Sequence, residues 1–385
     1  MADRRRGWRA GGWLAGAAGV AAVGAIAGTT VARSMTRRIS RDDPYAGEDF
    51  EILEHDHSSV VVTDDGVELA VRDVGPRDAP LTVVFAHGFC LRMGSFHFQR
   101  ARLAAEWGAQ VRMVFYDQRG HGDSASLDEG EAKLGPPRRH GDSATASPKT
   151  YTVPRLGRDL EAVLAATVPR GPVVLVGHSM GGMTVLAHAR QFPQHYGNRI
   201  VGAALISSAA KGVSRSPLGE VLRNPALEAV QFSVRYAPNL VHRGRGAARR
   251  VIAPILRAAS YGTDEISPSV VAFSEAMMHA TPVPTMVGFL HALEVHDESA
   301  ALTTLAKIPT LVACGDHDLL TPVGYSRAMA ATLWDCELVI VPGAGHLVQL
   351  EEPDAIDEAL VRLVERATPR RAGLTRRLRR KAGRQ

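Results

Sequence analysis

The sequence predicts an α/β fold in which a mostly parallel β-sheet is flanked by helices. Two observations lead to this prediction. The 385 residues are 45% hydrophobic and 22% charged, which is enough apolar material to bury a large core. Short apolar runs rich in β-branched residues also alternate with segments of helical composition. Such alternation favours a parallel sheet, because parallel neighbours need a crossover connection that a helix provides.

The runs predicted as strands fall into an opening hairpin and two later groups. Residues 60–63 and 67–71 flank Asp64-Asp65-Gly66, which is typical of a hairpin turn. Six further strands are predicted at residues 81–86, 111–116, 172–176, 200–206, 310–313 and 337–341. Residues 354–366 then predict a closing amphipathic helix.

A long interruption separates the fourth of these six runs from the fifth. Residues 212–298 contain helical stretches broken by prolines, and a helical insertion between two strands must lie over the end of the sheet. We therefore predict a helical lid inserted before the last two strands. The predicted parts are a basic leader at 1–41, a first core segment at 42–211, the lid at 212–298, a second core segment at 299–366 and a basic, disordered tail at 367–385.

The leader contains an uncharged run at residues 11–32, which is about the length that spans a bilayer. Arginines flank it on both sides, so the distribution of positive charge does not choose an orientation. The first interpretation is an uncleaved single-pass anchor, which makes the protein membrane-associated. A cleaved export signal of a secreted protein, with Ala25-Ile26-Ala27 as the cleavage site, and a disordered leader remain open. The basic tail is expected to bind anionic lipid headgroups.

Charge and cysteine content exclude several other classes. The leader carries a net charge of +7 and the tail one of +8. Because the whole chain carries +5, residues 42–366 carry about −10 and would repel nucleic acid. The three cysteines have no CxxC spacing, which indicates neither a disulfide framework nor a zinc site. The short run His55-Asp56-His57 lacks a third ligand. We predict no metal, no cofactor and no nucleic-acid partner; the oligomeric state is left open.

The clearest chemical motif is Gly177-His178-Ser179-Met180-Gly181, which follows a predicted buried strand and precedes a predicted helix. A G-x-S-x-G sequence in this context places the serine on a tight strand-to-helix turn. Its hydroxyl is then exposed at a helix N-terminus, where backbone amides favour developing negative charge. Ser179 is therefore the candidate nucleophile.

Three other motifs accompany it in a fixed order. They are His87-Gly88-Phe89, the DQRGHGDS segment at 117–124, and Gly343-Ala344-Gly345-His346. With these four motifs the chain resembles the α/β-hydrolase superfamily, in its serine esterase and lipase branch, and is also similar to cofactor-free haloperoxidases. The resemblance runs from about residue 60 to residue 365 and implies the α/β-hydrolase fold. It further implies that the backbone N–H groups of Phe89 and Met180 form the oxyanion hole.

A serine hydroxyl needs a neighbouring base, and His346 is the candidate because it follows the last strand in a loop of small residues. The acid should follow the preceding strand, where Asp316 and Asp318 compete. The family pattern G-x-x-D followed by proline favours Asp318, and Asp316 is then a turn former or supports the site indirectly. His87, His121 and His178 are expected to support loops by hydrogen bonding.

These residues predict a serine hydrolase that cleaves a small carboxylic ester, of lipophilic character, through an acyl-enzyme. The same residues also serve perhydrolysis, C–C bond hydrolysis and acyl transfer, so these reactions remain open. A membrane-tethered binding module without catalysis is the alternative from another class. That alternative is disfavoured because no member of the predicted catalytic set is missing.

Overall fold

The computed structural model describes residues 43–124, 151–212, 259–262 and 266–368. Within them the strands are β1 (His57–Val62), β2 (Glu68–Val74), β3 (Leu81–Ala86), β4 (Val111–Tyr116), β5 (Val173–His178), β6 (Ile200–Ile206), β7 (Thr310–Gly315) and β8 (Cys336–Val341). The α-helices are α1 (His97–Trp107), α2 (Val153–Thr167), α3 (Met180–Gln191), α4 (Pro268–Ala280), α5 (Val283–Glu294), α6 (Leu302–Leu305), α7 (Val323–Ala330), α8 (Val348–Glu351) and α9 (Pro353–Ala367). Short 3₁₀ helices lie at Ile52–His55, Met93–Phe96, Gly108–Gln110, Pro193–His195 and Ser299–Ala301.

The eight strands form one sheet in the order β1-β2-β4-β3-β5-β6-β7-β8. β1 pairs antiparallel with β2, and β2 pairs antiparallel with β4. Every other pair is parallel. The predicted fold class, a mostly parallel sheet flanked by helices, is therefore confirmed.

The central strands are mostly apolar because both faces of the sheet are covered; buried Thr82 in β3 and Arg112 in β4 are polar exceptions. In β3, Val84 belongs to a core cluster with residues of α2 and α3, whereas its neighbours Val83 and Phe85 belong to a second cluster with residues of α1 and α9. Side chains alternate between the faces along a strand, so a strand buried on both sides favours apolar residues at nearly every position. The bounds of β3, β4 and β6 agree with the prediction for this reason.

The opening hairpin is longer than predicted. β1 begins at His57, whose Nδ1 lies 2.8 Å from Asp73 Oδ1 across the strand pair. β1 is an edge strand with an exposed face, where polar residues are tolerated. Hydrophobic pattern alone therefore places the start of such a strand too late.

The prediction of a single-pass membrane protein is wrong for the described part of the chain. None of its helices combines the length and apolar character that a bilayer crossing requires. The longest, α2 and α9, have 15 residues each, or about 22 Å at the rise of an α-helix, against a hydrocarbon core of about 30 Å. Residues 11–32 and the tail from residue 369 lie outside the described residues.

Helices α4 and α5 belong to the segment predicted as a lid. Both pack against loops at the carboxyl ends of the strands, in an apolar cluster that includes Leu91 and Leu347. Residues 213–258 and 263–265 of the segment lie outside the described residues. A lid function for α4 and α5, and the division into core and lid, remain predictions.

The first described residues pack on α4 rather than forming a free linker. The Asp43 carboxylate accepts hydrogen bonds from the Ser269 backbone N–H (3.2 Å) and hydroxyl (2.7 Å), and from the Ser267 hydroxyl. The Phe50 ring stacks on Phe273 of α4 with centroids 4.6 Å apart. We call residues 43–50 the N-terminal strap. It joins α4 to α1, because Phe50 also contacts Phe98 edge-on.

Candidate active site

Ser179 lies on a sharp turn between β5 and α3. Its φ is 52°, a left-handed conformation that non-glycine residues rarely adopt. The glycines on either side are sterically required. A Cβ atom at Gly177 would lie 2.3 Å from the carbonyl oxygen of Gly181, and one at Gly181 would lie 1.9 Å from that of Ala86. The turn therefore holds the serine against the end of β3, as the motif predicts.

The structure brings Ser179, His346 and Asp318 together from three separate loops. Ser179 follows β5, Asp318 follows β7 and His346 follows β8. His346 Nε2 lies 2.9 Å from Ser179 Oγ, and His346 Nδ1 lies 2.9 Å from Asp318 Oδ2. An imidazole so placed can take the serine proton on one nitrogen while the carboxylate orients the other.

Asp318 is held as a carboxylate by several donors. Its oxygens accept hydrogen bonds from the backbone N–H groups of Leu320 and Thr321, both at 2.8 Å, and from the Thr321 hydroxyl at 2.7 Å. Burial raises the pKa of this carboxyl, but the neighbouring His346 and the bonds from Thr321 outweigh burial and leave the pKa below its usual value. Asp318 is thus ionised where an imidazolium would form.

Asp316, the competing candidate, binds the backbone of the histidine loop rather than the His346 side chain. Its Oδ1 accepts a hydrogen bond from Gly343 N at 2.6 Å. Its contact is with the beginning of the histidine loop, which we define as residues 343–346. The geometry therefore favours Asp318 as the partner of His346.

The predicted oxyanion donors lie on either side of Ser179. Met180 begins α3. Phe89 follows Gly88, where a Cβ atom would lie 3.1 Å from the Cβ of Ser179. Within the part of the chain that the structure describes, neither the Phe89 N–H nor the Met180 N–H has a hydrogen-bond acceptor. Both amides are free to bind an oxygen that becomes negative beside Ser179.

A cavity opens beside Ser179 and His346. Apolar side chains dominate its wall, and they come from α3, α4, α5 and the loops after the strands. The lining residues are Phe89, Leu91, His178, Ser179, Met183, Ser260, Met278, Leu293, Leu320, Thr321, His346 and Leu347. A carbonyl bound at Ser179 would have its organic substituents in an apolar space.

Three further histidines are buried around the site and are neutral. Burial lowers the pKa of His121 to about 4 and that of His178 to about 3, and it also lowers the pKa of His87. His87 Nε2 accepts from Gln118 N, and His121 Nε2 accepts from Cys90 N. His178 Nε2 lies 2.9 Å from the carbonyl oxygen of His346, to which it donates. These contacts agree with the expectation that all three support loops.

The DQRGHGDS segment is anchored by a buried ion pair. The guanidinium of Arg119 donates to Asp159 of α2 at 2.5 and 2.7 Å, and both side chains are 1% exposed. Arg119 also donates twice to Asp65 in the hairpin turn. The segment is thereby tied to both the hairpin and α2, beneath the site.

Asp56 and His57, at the start of β1, contact separate partners. Asp56 pairs with Arg100, and His57 pairs with Asp73. Among the residues that the structure describes, no cluster of three or more His, Cys, Asp or Glu side chains is arranged to hold a metal ion.

Sequence reasoning missed two residues that support His346. Thr321 binds Asp318, as described above, and Glu351 of α8 accepts a hydrogen bond from Gly345 N at 2.9 Å. Thr321 lies three residues after Asp318, so a search for donors close to the acid would have found it. Glu351 lies five residues after His346, but its role depends on a fold-back of the chain that no local pattern predicts.

A comparison with known proteins decides the family. The model of an alpha/beta hydrolase family matches residues 83–359. The chain belongs to this alpha/beta hydrolase family. The match includes all five predicted site residues.

Individual relatives cover most of this alpha/beta hydrolase. A monoacylglycerol lipase of Mycolicibacterium smegmatis is 29% identical over 73% of this chain and 85% of its own length. A pimeloyl-[acyl-carrier protein] methyl ester esterase of Xanthomonas oryzae is 27% identical over 73% of this chain and 94% of its own. A solved esterase from Thermogutta terrifontis superimposes with a TM-score of 0.60, at 24% identity, over 81% of this chain and 99% of its own; it supports the fold alone.

Proposed function

We propose that the protein hydrolyses a carboxylic ester with an apolar acyl or alcohol part, through an acyl-enzyme formed on Ser179. The observation that carries this proposal is the continuous chain of contacts from Ser179 through His346 to Asp318, at the wall of an apolar cavity. The broader class, an ester-hydrolysing enzyme, is confirmed by the family membership and by relatives named as a lipase and an esterase. The acyl-enzyme route through Ser179 and the lipophilic character of the substrate are what we propose.

In the first half of the proposed reaction, Ser179 Oγ attacks the ester carbonyl carbon while His346 Nε2 takes its proton. The carbonyl π-bond opens, and the oxygen becomes an oxyanion that the N–H groups of Phe89 and Met180 bind. The tetrahedral intermediate then collapses and the bond to the alcohol breaks. His346 gives its proton to the leaving alcohol, and the acyl group stays on Ser179.

In the second half, water replaces the alcohol. His346 takes a proton from water, whose oxygen attacks the acyl carbon, and the same two amides bind the second oxyanion. When this intermediate collapses, the bond to Ser179 breaks and Oγ recovers the proton from His346. Asp318 stays ionised throughout and stabilises the imidazolium that forms in each half.

The lining of the cavity supports an apolar substrate. Phe89, Leu91, Met183, Met278 and Leu293 present large uncharged side chains. The two methionines are flexible and polarisable, so they adapt to irregular apolar shapes. An ester with a charged group near the carbonyl would lose hydration here without a paired charge in return.

The test is labelling of the full-length protein with a fluorophosphonate, which reacts with activated serines, beside the Ser179→Ala variant. We expect labelling and turnover of p-nitrophenyl esters by the parent, and neither by the variant. Ser208→Ala is a matched control, because the Ser208 hydroxyl contacts the backbone oxygen of Ser179 rather than its hydroxyl. A folded parent that is neither labelled nor active on esters of any acyl length would overturn the proposal.

Product analysis separates hydrolysis from the other reactions of the same residues. With water as the acceptor of the acyl group, we expect free acid and alcohol in equal amounts. A product dominated by a new ester in the presence of a competing alcohol would indicate acyl transfer. Oxidation that depends on peroxide and a carboxylic acid would indicate perhydrolysis.

A further inference from the structure

Glu351 joins two parts of the chain that are far apart in sequence. Its Oε1 accepts a hydrogen bond from Gly345 N at 2.9 Å, and its Oε2 accepts one from Gly262 N at 2.8 Å. Gly345 precedes His346 in the histidine loop. Gly262 belongs to residues 259–262, which we call the crossing segment and which lie within the predicted lid. One carboxylate therefore satisfies a backbone donor on each side.

The crossing segment and the histidine loop cross with their backbones in direct contact. A Cβ atom at Gly262 would lie 2.3 Å from the carbonyl carbon of Ala344, and one at Gly345 would lie 2.4 Å from Gly262 N. Leu347 N also donates to the carbonyl oxygen of Ser260 at 3.0 Å, and Ser260 lines the cavity. The position of His346 is thus linked to that of the crossing segment over several consecutive residues.

We propose that Glu351 is a positioning residue for His346: its carboxylate holds the histidine loop on the crossing segment and so fixes the distance from the imidazole to Ser179. The inference rests on the proposed function, because it concerns His346 as the general base. Glu351 does not contact the reacting atoms. Its effect is on the position of the His346 imidazole and on the negative charge near that imidazole.

The form of Glu351 that can do this is the carboxylate. Each of its oxygens accepts a hydrogen bond from one backbone N–H. In the protonated carboxyl, one oxygen carries a hydrogen and becomes a donor, which would face a backbone N–H that also donates. Burial raises the pKa of Glu351 to about 7, against the lowering effect of the two backbone N–H groups; Asp318 raises it further and His346 lowers it. The other titratable groups at the crossing are His317, which binds the Gly262 carbonyl, and Asp316, which binds Gly343 N.

The pH sets how much of Glu351 is in the carboxylate form. Its pKa is raised, so the carboxylate is present above about pH 7 and is lost as the pH falls. Below about pH 7 the parent therefore comes to resemble a variant that lacks the carboxylate, and the ratio of their rates shrinks.

The decisive variant is Glu351→Gln, which keeps the shape but places an amide NH₂ against one of the two backbone donors. The matched control is Glu352→Gln, an exposed neighbour that makes the same charge change. The rate of fluorophosphonate labelling of Ser179 and the steady-state kcat and KM for a p-nitrophenyl ester are measured from pH 5.5 to 8.5. Thermal unfolding of each variant is measured alongside, to express rates per folded molecule.

We expect Glu351→Gln to lower the labelling rate and kcat by on the order of 10- to 100-fold, as small displacements of a catalytic group do, with KM within about twofold of the parent. Its rate deficit relative to the parent shrinks as the pH falls through about 7, where the parent loses the carboxylate. Glu352→Gln keeps the parent's rates at every pH. A Glu351→Gln rate within twofold of the parent would overturn the proposal, as would equal losses in both variants.

The pH profile gives a second measurement. The ratio of the parent's labelling rate to that of Glu351→Gln should shrink as the pH falls through about 7, and a ratio that stays constant from pH 5.5 to 8.5 would overturn the role of the carboxylate. A parent that is not labelled at any pH would instead overturn the proposed function. The two failures are therefore distinguishable.

Discussion

His346 faces both oxygens of Asp318: its Nδ1 lies 2.9 Å from Oδ2 and 3.1 Å from Oδ1. A carboxylate in this position accepts a hydrogen bond from the Nδ1–H group, so the proton stays on Nδ1 and Nε2 is unprotonated towards Ser179. The arrangement selects one tautomer of the imidazole. It also places a negative charge where the imidazolium forms during the proposed reaction.

Replacing Asp318 with asparagine tests this assignment. An amide NH₂ can donate to Nδ1 and favours the wrong tautomer, so we expect kcat to fall by roughly 10³- to 10⁴-fold with little change in KM. Asp316→Asn is the control, because Asp316 contacts Gly343 N and the His317 side chain rather than the His346 side chain. Its effect on kcat should stay below about tenfold, as measured by p-nitrophenyl ester turnover. Equal losses in the two variants would contradict the assignment of the acid.

Thr321→Val removes a hydroxyl donor from Asp318 without a large change of volume. The pKa of Asp318 should rise, because one of the bonds that lower it is lost. A lowered carboxyl pKa stabilises the fold at neutral pH, and this contribution is lost as the pH falls through that pKa. We therefore expect Thr321→Val to unfold at a lower temperature than the parent at pH 7, by an amount that shrinks towards acidic pH. Thr303→Val, an exposed site, should show no such trend; a deficit that does not vary with pH would argue against the mechanism.

Gly181→Ala tests the steric basis of the turn at Ser179. A Cβ atom there would overlap the Ala86 carbonyl oxygen, so either β3 moves or the serine does. We expect a loss of stability of about 2 kcal/mol or more, together with loss of labelling at Ser179. Gly324→Ala in α7 is the control, since a Cβ atom there meets nothing within 4 Å. It should unfold at or slightly above the parent's temperature by calorimetry. A fully active Gly181→Ala protein would show that the turn tolerates a side chain.

Asp159→Ala tests the anchor of the DQRGHGDS segment. It leaves Arg119, which is 1% exposed, without its buried partner, and breaking a buried pair in this way costs about 3–5 kcal/mol. Denaturant unfolding should show this loss, whereas kcat per folded molecule should change by less than about threefold. The exposed neighbour Arg158→Ala should unfold like the parent. A loss of stability below about 1 kcal/mol would mean that water or Asp65 replaces the Asp159 carboxylate as the partner of Arg119.

The sequence-based prediction succeeded where one local constraint determined the residues. β3, β4 and β6 lie between helical layers, so nearly every position is apolar and the ends of the strands can be read from the ends of the apolar runs. The turn at Ser179 has its own steric rule in Gly177 and Gly181. The order of the strands in the sheet was not predicted, because it depends on pairing between distant segments.

Most of the parts that were missed depend on contacts between separate segments. Glu351 is an ordinary polar residue until the chain folds Gly262 against it, whereas Thr321 binds an acid only three residues away and was within reach of a local search. β1 was predicted too short because an edge strand needs no apolar pattern. The membrane prediction relied on length and lack of charge in residues 11–32, and no helix of the described chain shares those properties.

The N-terminal strap contacts α4, which forms part of the cavity wall. A chain shortened to the first strand at His57 would keep the whole sheet and all five candidate site residues. It would nevertheless lose Asp43 from the start of α4 and Phe50 from the stack on Phe273, and α4 supplies Met278 to the cavity. The wall of the cavity is therefore braced by residues more than 100 positions before Ser179, and variants of residues 43–50 offer a way to reshape the cavity without touching the site.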